Sequence, residues 1–283
     1  MIITGVIVLQ LVHHLAVSLL FGLSLFPLYA LGGGMVPARG AFGWLPRMLV
    51  YAGVMAVGSQ ALLMALTASA SGPALMRVSM ARLVLALGIA ALLLLKPTRA
   101  RAYGVLIGSG VLVASLSEMG RAGGGTGVAA AVHIFTDAMH LIAASIWMGA
   151  LFAFVLVLMD ARRTRAESNA AMACRALDRF SEVGSIVVVV LVFTGLANPN
   201  VATSFSTPYG QILLTKLALF AAMLGLAGAN RFWLTPWLAS ELVAKSGRET
   251  SLRALHVPAA IGFSDRVAYR RAHHLGQVLL DVA

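Results

Sequence analysis

Residues 129–159 read AAAVHIFTDAMHLIAASIWMGALFAFVLVLM, an apolar run that nevertheless carries His133, Asp137 and His140. A helix that crosses a bilayer needs about 20 such residues, and this stretch exceeds that. At roughly 100° per residue, steps of four and seven bring the three polar side chains to one helical face, which Ala144 and Trp147 continue. An ionisable side chain at mid-bilayer costs about 2.5–3.5 kcal/mol on insertion scales, so a face carrying three of them needs partners or a ligand. The segment therefore predicts a membrane fold and marks where its function is to be sought.

The rest of the chain has the same character. Of 283 residues, 60% are hydrophobic and 11% charged, and the mean hydropathy is +0.90. Such values lie far from soluble composition and predict an all-α polytopic membrane protein with no soluble domain. The formal charge of +11 would in a soluble protein raise the question of nucleic acid. Here the basic residues sit between apolar runs, where positive-inside topology accounts for them, and no nucleic-acid partner is expected. Cys174 is the one cysteine, which excludes an internal disulfide or thiolate cluster and suits a reducing cytosolic loop. The N-terminal apolar run lacks a basic leader and a small-residue cleavage site, and reads as a retained helix.

Seven spans are expected, at about 3–30, 48–69, 76–95, 102–119, 129–159, 182–198 and 211–238, forming a bundle over 1–239. Loop signals fall between them: Gly32-Gly33-Gly34, Gly72-Pro73, Lys96-Pro97, Gly123-Gly124-Gly125 and Asn198-Pro199. Seventeen of the 21 Lys and Arg residues fall on one side under this assignment, leaving only Arg77, Arg82, Arg121 and Lys216 toward the other. The asymmetry predicts an outer N-terminus and a cytoplasmic tail over 240–283. Small residues such as Gly22, Gly53, Gly58, Gly149, Gly184, Gly195 and Gly225 are the expected helix-packing points.

With that orientation the polar and sulfur-bearing groups gather in the outer half. His133 and Asp137 lie near the outer surface, with His140 deeper and His13 and His14 near the middle of the first span. Met64, Met76 and Met80 lie in the outer parts of spans two and three, and Glu118 and Met119 close the fourth. Imidazole and thioether suit copper, and thioether favours Cu(I), whereas Mg or Ca would want several carboxylates. Each candidate also has a plain structural role. The histidines can serve as interhelical hydrogen-bonding groups and the methionines as core filler. Adjacent His13 and His14 point about 100° apart, so one of the two faces any common site. Asp137 either orients an imidazole or neutralises Arg82 or Lys216. No His-Glu-x-x-His pair, phosphate loop or nucleophile with an adjacent base is present, and no enzymatic activity is expected.

These residues resemble the bacterial CopD family of copper-resistance and copper-homeostasis membrane proteins. The matching pieces are His133, Asp137 and His140-Leu141-Ile142-Ala143-Ala144, then Trp147-Met148-Gly149, Arg179-Phe180-Ser181, Thr194-Gly195, Tyr209-Gly210, Leu213-Leu214 with Lys216, and Asn230-Arg231 with Leu234 and Pro236. Order and spacing agree from about 117 to 238. In the first half, His13 or His14 ahead of Phe21-Gly22 is similar to the family's first-helix histidine, and Arg82 to a recurrent arginine of span three. The resemblance implies an inner-membrane protein that moves copper ions between periplasm and cytoplasm, often alongside a periplasmic CopC-type copper protein, with His133 and His140 inheriting the family's histidines.

Two departures stand out. Gly120-Arg121-Ala122 stands where the family usually has Gly-His-Ala, replacing an outer ligand with a cation. The family's usual eighth helix has no apolar counterpart between Glu241 and Ala283, which reads as an altered final helix or a basic segment near anionic lipid. Two other functions fit the same residues. One is a b-type haem protein with axial imidazoles from spans one and five, and the other is a membrane partner of a periplasmic copper protein that transports nothing.

Overall fold

The computed structural model describes residues 2–30, 43–69, 71–117, 127–164, 180 and 183–195, with isolated positions between 211 and 225. Five long helices are formed: α1 (Ile2–Ala30), α2 (Leu45–Thr67), α3 (Pro73–Leu94), α4 (Arg99–Ser115) and α5 (Val128–Thr164). A shorter apolar helix, α6 (Val183–Gly195), follows. Helices thus stand at the first six predicted spans. The seventh falls in a second compact unit, Ala202–Ala283, in which the described positions from Gln211 to Gly225 are helical. The tail over 240–283, with the proposed boundary at 239, lies outside the described residues.

Local chemistry sets the breaks. Gly72 in an extended conformation precedes Pro73 at the start of α3, where the missing N–H of proline costs nothing. Pro97 separates α3 from α4, whose first turn is capped by the Thr98 side chain accepting from the Arg101 N–H at 3.2 Å. This cap starts α4 ahead of the expected residue 102, and the helix ends at Ser115 rather than 119. At 37 residues, α5 is about 55 Å long, well beyond a hydrocarbon core of about 30 Å.

The burial pattern is that of a membrane bundle. Leu11, Val84, Ile107 and Phe135 are each more than 60% exposed, while His13, Gln60, Arg82, Ser109 and Ser145 are buried. A large outward apolar surface with polar groups inside is what lipid, rather than water, selects. Helices α1, α2, α3 and α5 are each long and apolar enough to cross a membrane, so this is a multi-pass helical membrane protein.

Within this first unit α1 is central, packing against α2, α4 and α5. The α2 helix runs antiparallel to it, as shown by His13 meeting Ser59 and Phe26 meeting Trp44. By contrast α5 runs parallel to α1. Gly22 faces Gly149, and Phe26 faces Phe154 with ring centroids 6.0 Å apart. A Cβ placed on Gly22 would lie 2.3 Å from the Ser145 carbonyl oxygen and 2.7 Å from the Gly149 Cα. The two main chains touch, and Ser145, Gly149 and Ala153 form a buried small-residue stripe with spacing four along α5.

Other expected packing glycines divide. A Cβ on Gly53 would meet Leu93 at 3.0 Å, whereas among the described residues nothing lies within 4 Å of one on Gly58, which is not a packing point. The glycines of α4 were not expected and do pack: Gly108 abuts Ile89 and Gly110 abuts the Phe21 ring, both at 3.1 Å from a would-be Cβ.

Candidate metal centre

His13 is completely buried, and its Nδ1 lies 2.9 Å from Ser59 Oγ on α2. Its Nε2 is buried too and has no hydrogen-bond partner among the described residues. The next residue on α2, Gln60, donates from Nε2 to the Ser79 carbonyl of α3 at 3.3 Å, while its buried Oε1 has no hydrogen-bond partner among the described residues. Three residues on from Ser79, Arg82 donates from Nε to Ser115 Oγ at 3.1 Å and from Nη2 to the Ser115 carbonyl at the end of α4. Helices α1 to α4 therefore share one buried polar layer whose fixed charge is a guanidinium. The ring of His14 stands perpendicular to that of His13, centroids 6.2 Å apart, and its Nδ1 lies 2.7 Å from the Gln10 carbonyl. Of the adjacent pair, His13 faces the interior.

On α5, His140 Nδ1 lies 2.8 Å from Thr194 Oγ1 of α6. Trp147, further along the same stripe, meets the Phe180 ring at 5.8 Å. The predicted polar face of α5 thus turns toward α6, while the small-residue stripe turns toward α1. Because α1 and α5 are parallel and meet at Gly22 and Gly149, His13 and His140 each stand nine residues before the crossing. That places them at one depth, about 13 Å from it. They do not share a partner: Ala16, Val17 and Leu20 pack with Leu141, Ile142 and Ile146 in the same apolar cluster. Each ring is held by a hydroxyl of a different helix, His13 by Ser59 of α2 and His140 by Thr194 of α6.

His133 Nε2 lies 3.7 Å from Asp137 Oδ2 one turn on, and the two side chains are 53% and 39% exposed. Asp137 thus lies beside an imidazole of its own helix. Among the described residues no three His, Cys, Asp or Glu side chains converge as a closed metal site. Met64 and Met76 are half-buried at facing ends of α2 and α3, whereas Met80 is 47% exposed on the outer face of α3. Glu118, Met119, Arg121 and Lys216 lie outside the described residues. Ser59 and Ser115, which hold the buried His13 and Arg82, drew no reading from sequence, and Thr194 entered only as part of the family resemblance. A hydroxyl in an apolar helix is common, and only its partner marks it.

Removing the guanidinium should show in stability. Arg82→Ala is expected to cost about 1.5–3 kcal/mol, the worth of hydrogen bonds to a charged group, read as earlier unfolding in detergent. An unchanged midpoint would mean that the Ser115 contacts contribute nothing.

Fold and site together define a multi-pass helical membrane protein with imidazoles held inside its bundle. Residues 174–264 match the family model described as Copper resistance protein D. The chain is 36% identical over 133 residues to Copper resistance protein D of Pseudomonas syringae pv. tomato, covering 45% of this chain and 43% of that one. It is 39% identical over 109 residues to the Copper transport protein CutJ of Bacillus subtilis (strain 168), covering 37% and 19%. It is also 36% identical over 125 residues to the Inner membrane protein YebZ of Escherichia coli (strain K12), covering 43% and 42%. Over its second half the chain is thus similar to the CopD copper-resistance family. The matched part spans less than half the length of each of these relatives. The family match runs on to 264, into the tail that the hydropathy pattern set apart. No solved structure matches the chain.

Proposed function

We propose that this protein serves copper homeostasis by passing copper ions across the bacterial inner membrane, with the N-terminus periplasmic and the tail cytoplasmic. The observation that carries the reading is His13: an imidazole at the centre of an apolar bundle, held by one nitrogen while the other has no partner among the described residues. A buried polar atom in that state is costly, and a soft cation is a partner its chemistry suits. His140 stands at the same depth on α5, and exposed His133 with Asp137 lies toward the periplasmic end, where an ion arriving from a CopC-type carrier would first be met. Copper is the cargo here, and sites of one or two ligands are weak enough to release it. Half-buried Met64 and Met76 add thioethers near that end, with Met80 and Met119 as further transient ligands. Asp137 supplies negative charge beside His133, and Glu118 is assigned the same role from its place in the sequence alone. The aliphatic packing between α1 and α5 favours copper over the haem alternative, since a macrocycle bridging the two helices would have to displace it.

Purified full-length protein in vesicles loaded with a Cu(I)-responsive indicator tests this. Signal on external copper, absent from protein-free vesicles, is expected. Copper retained by the protein without flux would replace transport by the partner role, and a red preparation with a Soret band would replace copper by haem.

A further inference from the structure

We propose that Ser59 and Thr194 are positioning residues that lock His13 and His140 in the Nδ1–H tautomer, so that each ring offers the lone pair of Nε2 to a soft cation. The inference rests on the copper reading and adds to it which nitrogen binds and what selects it. A neutral imidazole carries one N–H and one lone pair, and the partner of one nitrogen decides the state of the other. A hydroxyl has a single proton to give. Ser59 Oγ donates its proton to the Met55 carbonyl at 2.5 Å, and Thr194 Oγ1 donates to the Val190 carbonyl at 2.6 Å. Both are bonds back to the preceding helical turn, a habit of Ser and Thr in helices.

With that proton committed, the hydroxyl oxygen can only accept from the ring nitrogen beside it. Nδ1 of His13 and Nδ1 of His140 must therefore carry the hydrogen, and the lone pair falls on Nε2. The opposite tautomer would leave an N–H on the buried His13 Nε2 with no acceptor among the described residues. His14 reaches the same state directly, because its Nδ1 faces the Gln10 carbonyl, which only accepts. His133 differs: its Nε2 turns to the Asp137 carboxylate. The two interior rings are thus set alike by two hydroxyls on two different helices.

The test uses the full chain with ¹⁵N-labelled histidine in nanodiscs, above the pH at which imidazole is protonated. His13→Asn and His140→Asn assign the signals. Nδ1–H signatures are expected for both rings in the wild type. In Thr194→Val and Ser59→Ala the affected ring should populate both tautomers, and Thr194→Ser should restore the wild-type state. Cu(I) affinity, measured against a competing chelator, should fall about 10- to 100-fold in Thr194→Val, the usual effect of losing a group that orients a ligating histidine, and recover in Thr194→Ser. Nε2–H in the wild type, or spectra unmoved by both hydroxyl deletions, overturns the proposal. A tautomer that shifts with Thr194→Val in a protein that binds no Cu(I) upholds the hydroxyl's hold on the ring and overturns the copper reading alone. Should Thr194→Val not fold, Ser59→Ala decides the same point at His13.

Discussion

Cells expressing the His13→Ala/His140→Ala double variant are expected to accumulate no more copper than cells lacking the protein, with the variant present in the membrane at the wild-type level. Both rings stand at one depth in the bundle, held by Ser59 and Thr194, so the double change removes the two imidazoles that hydroxyls of neighbouring helices hold in that layer. What remains there, Gln60 and Arg82, offers an amide and a repelling cation. The His133→Ala/His140→Ala variant should behave similarly, because it removes the interior ring of α5 together with the exposed one. His133→Ala alone, at the rim, should only raise the copper concentration needed. Cellular copper by mass spectrometry, normalised to membrane protein by immunoblot, decides. Wild-type accumulation in the double variants at normal expression would reject the histidines as the copper path.

The second large effect is on assembly. Gly149→Leu should destabilise the bundle by about 3 kcal/mol or more, at the top of the usual range for overpacking. A Cβ there would stand 2.4 Å from the Gly22 Cα and 2.6 Å from its carbonyl carbon, so the obstacle is main chain, which cannot rotate aside. Gly58→Ala provides the contrast. Nothing among the described residues lies within 4 Å of its Cβ position, and alanine is the better helix former by about 1 kcal/mol. It should be neutral or slightly stabilising. Unfolding midpoints in detergent compare the two, and equal midpoints would mean that α1 and α5 do not meet through these glycines.

Much of the fold was legible in the sequence because lipid imposes a simple rule. A run of about 20 apolar residues must close its backbone hydrogen bonds within itself, so helix positions follow from hydropathy. Pro73, Pro97 and Thr98 then trimmed the ends. Which residues bring helices together was less legible. Gly58 and Gly149 look alike in the sequence, and only the neighbouring helix distinguishes open space from main-chain contact. The site was legible in kind and not in arrangement. Spacing put His133, Asp137 and His140 on one face of α5, but it could not say that this face meets α6 while Ser145, Gly149 and Ala153 meet α1. The roles of Ser59 and Thr194 depend on contacts 46 and 54 residues away in the chain, and no periodicity within one helix encodes them.

Two rods whose backbones touch, as those of α1 and α5 do at Gly22 and Gly149, cannot slide lengthwise past each other without first lifting apart. They behave as a single beam. Movement of these helices against their other neighbours is thereby left to the seams on either flank, α1 with α2 and α5 with α6, each bridged by a hydroxyl and an imidazole.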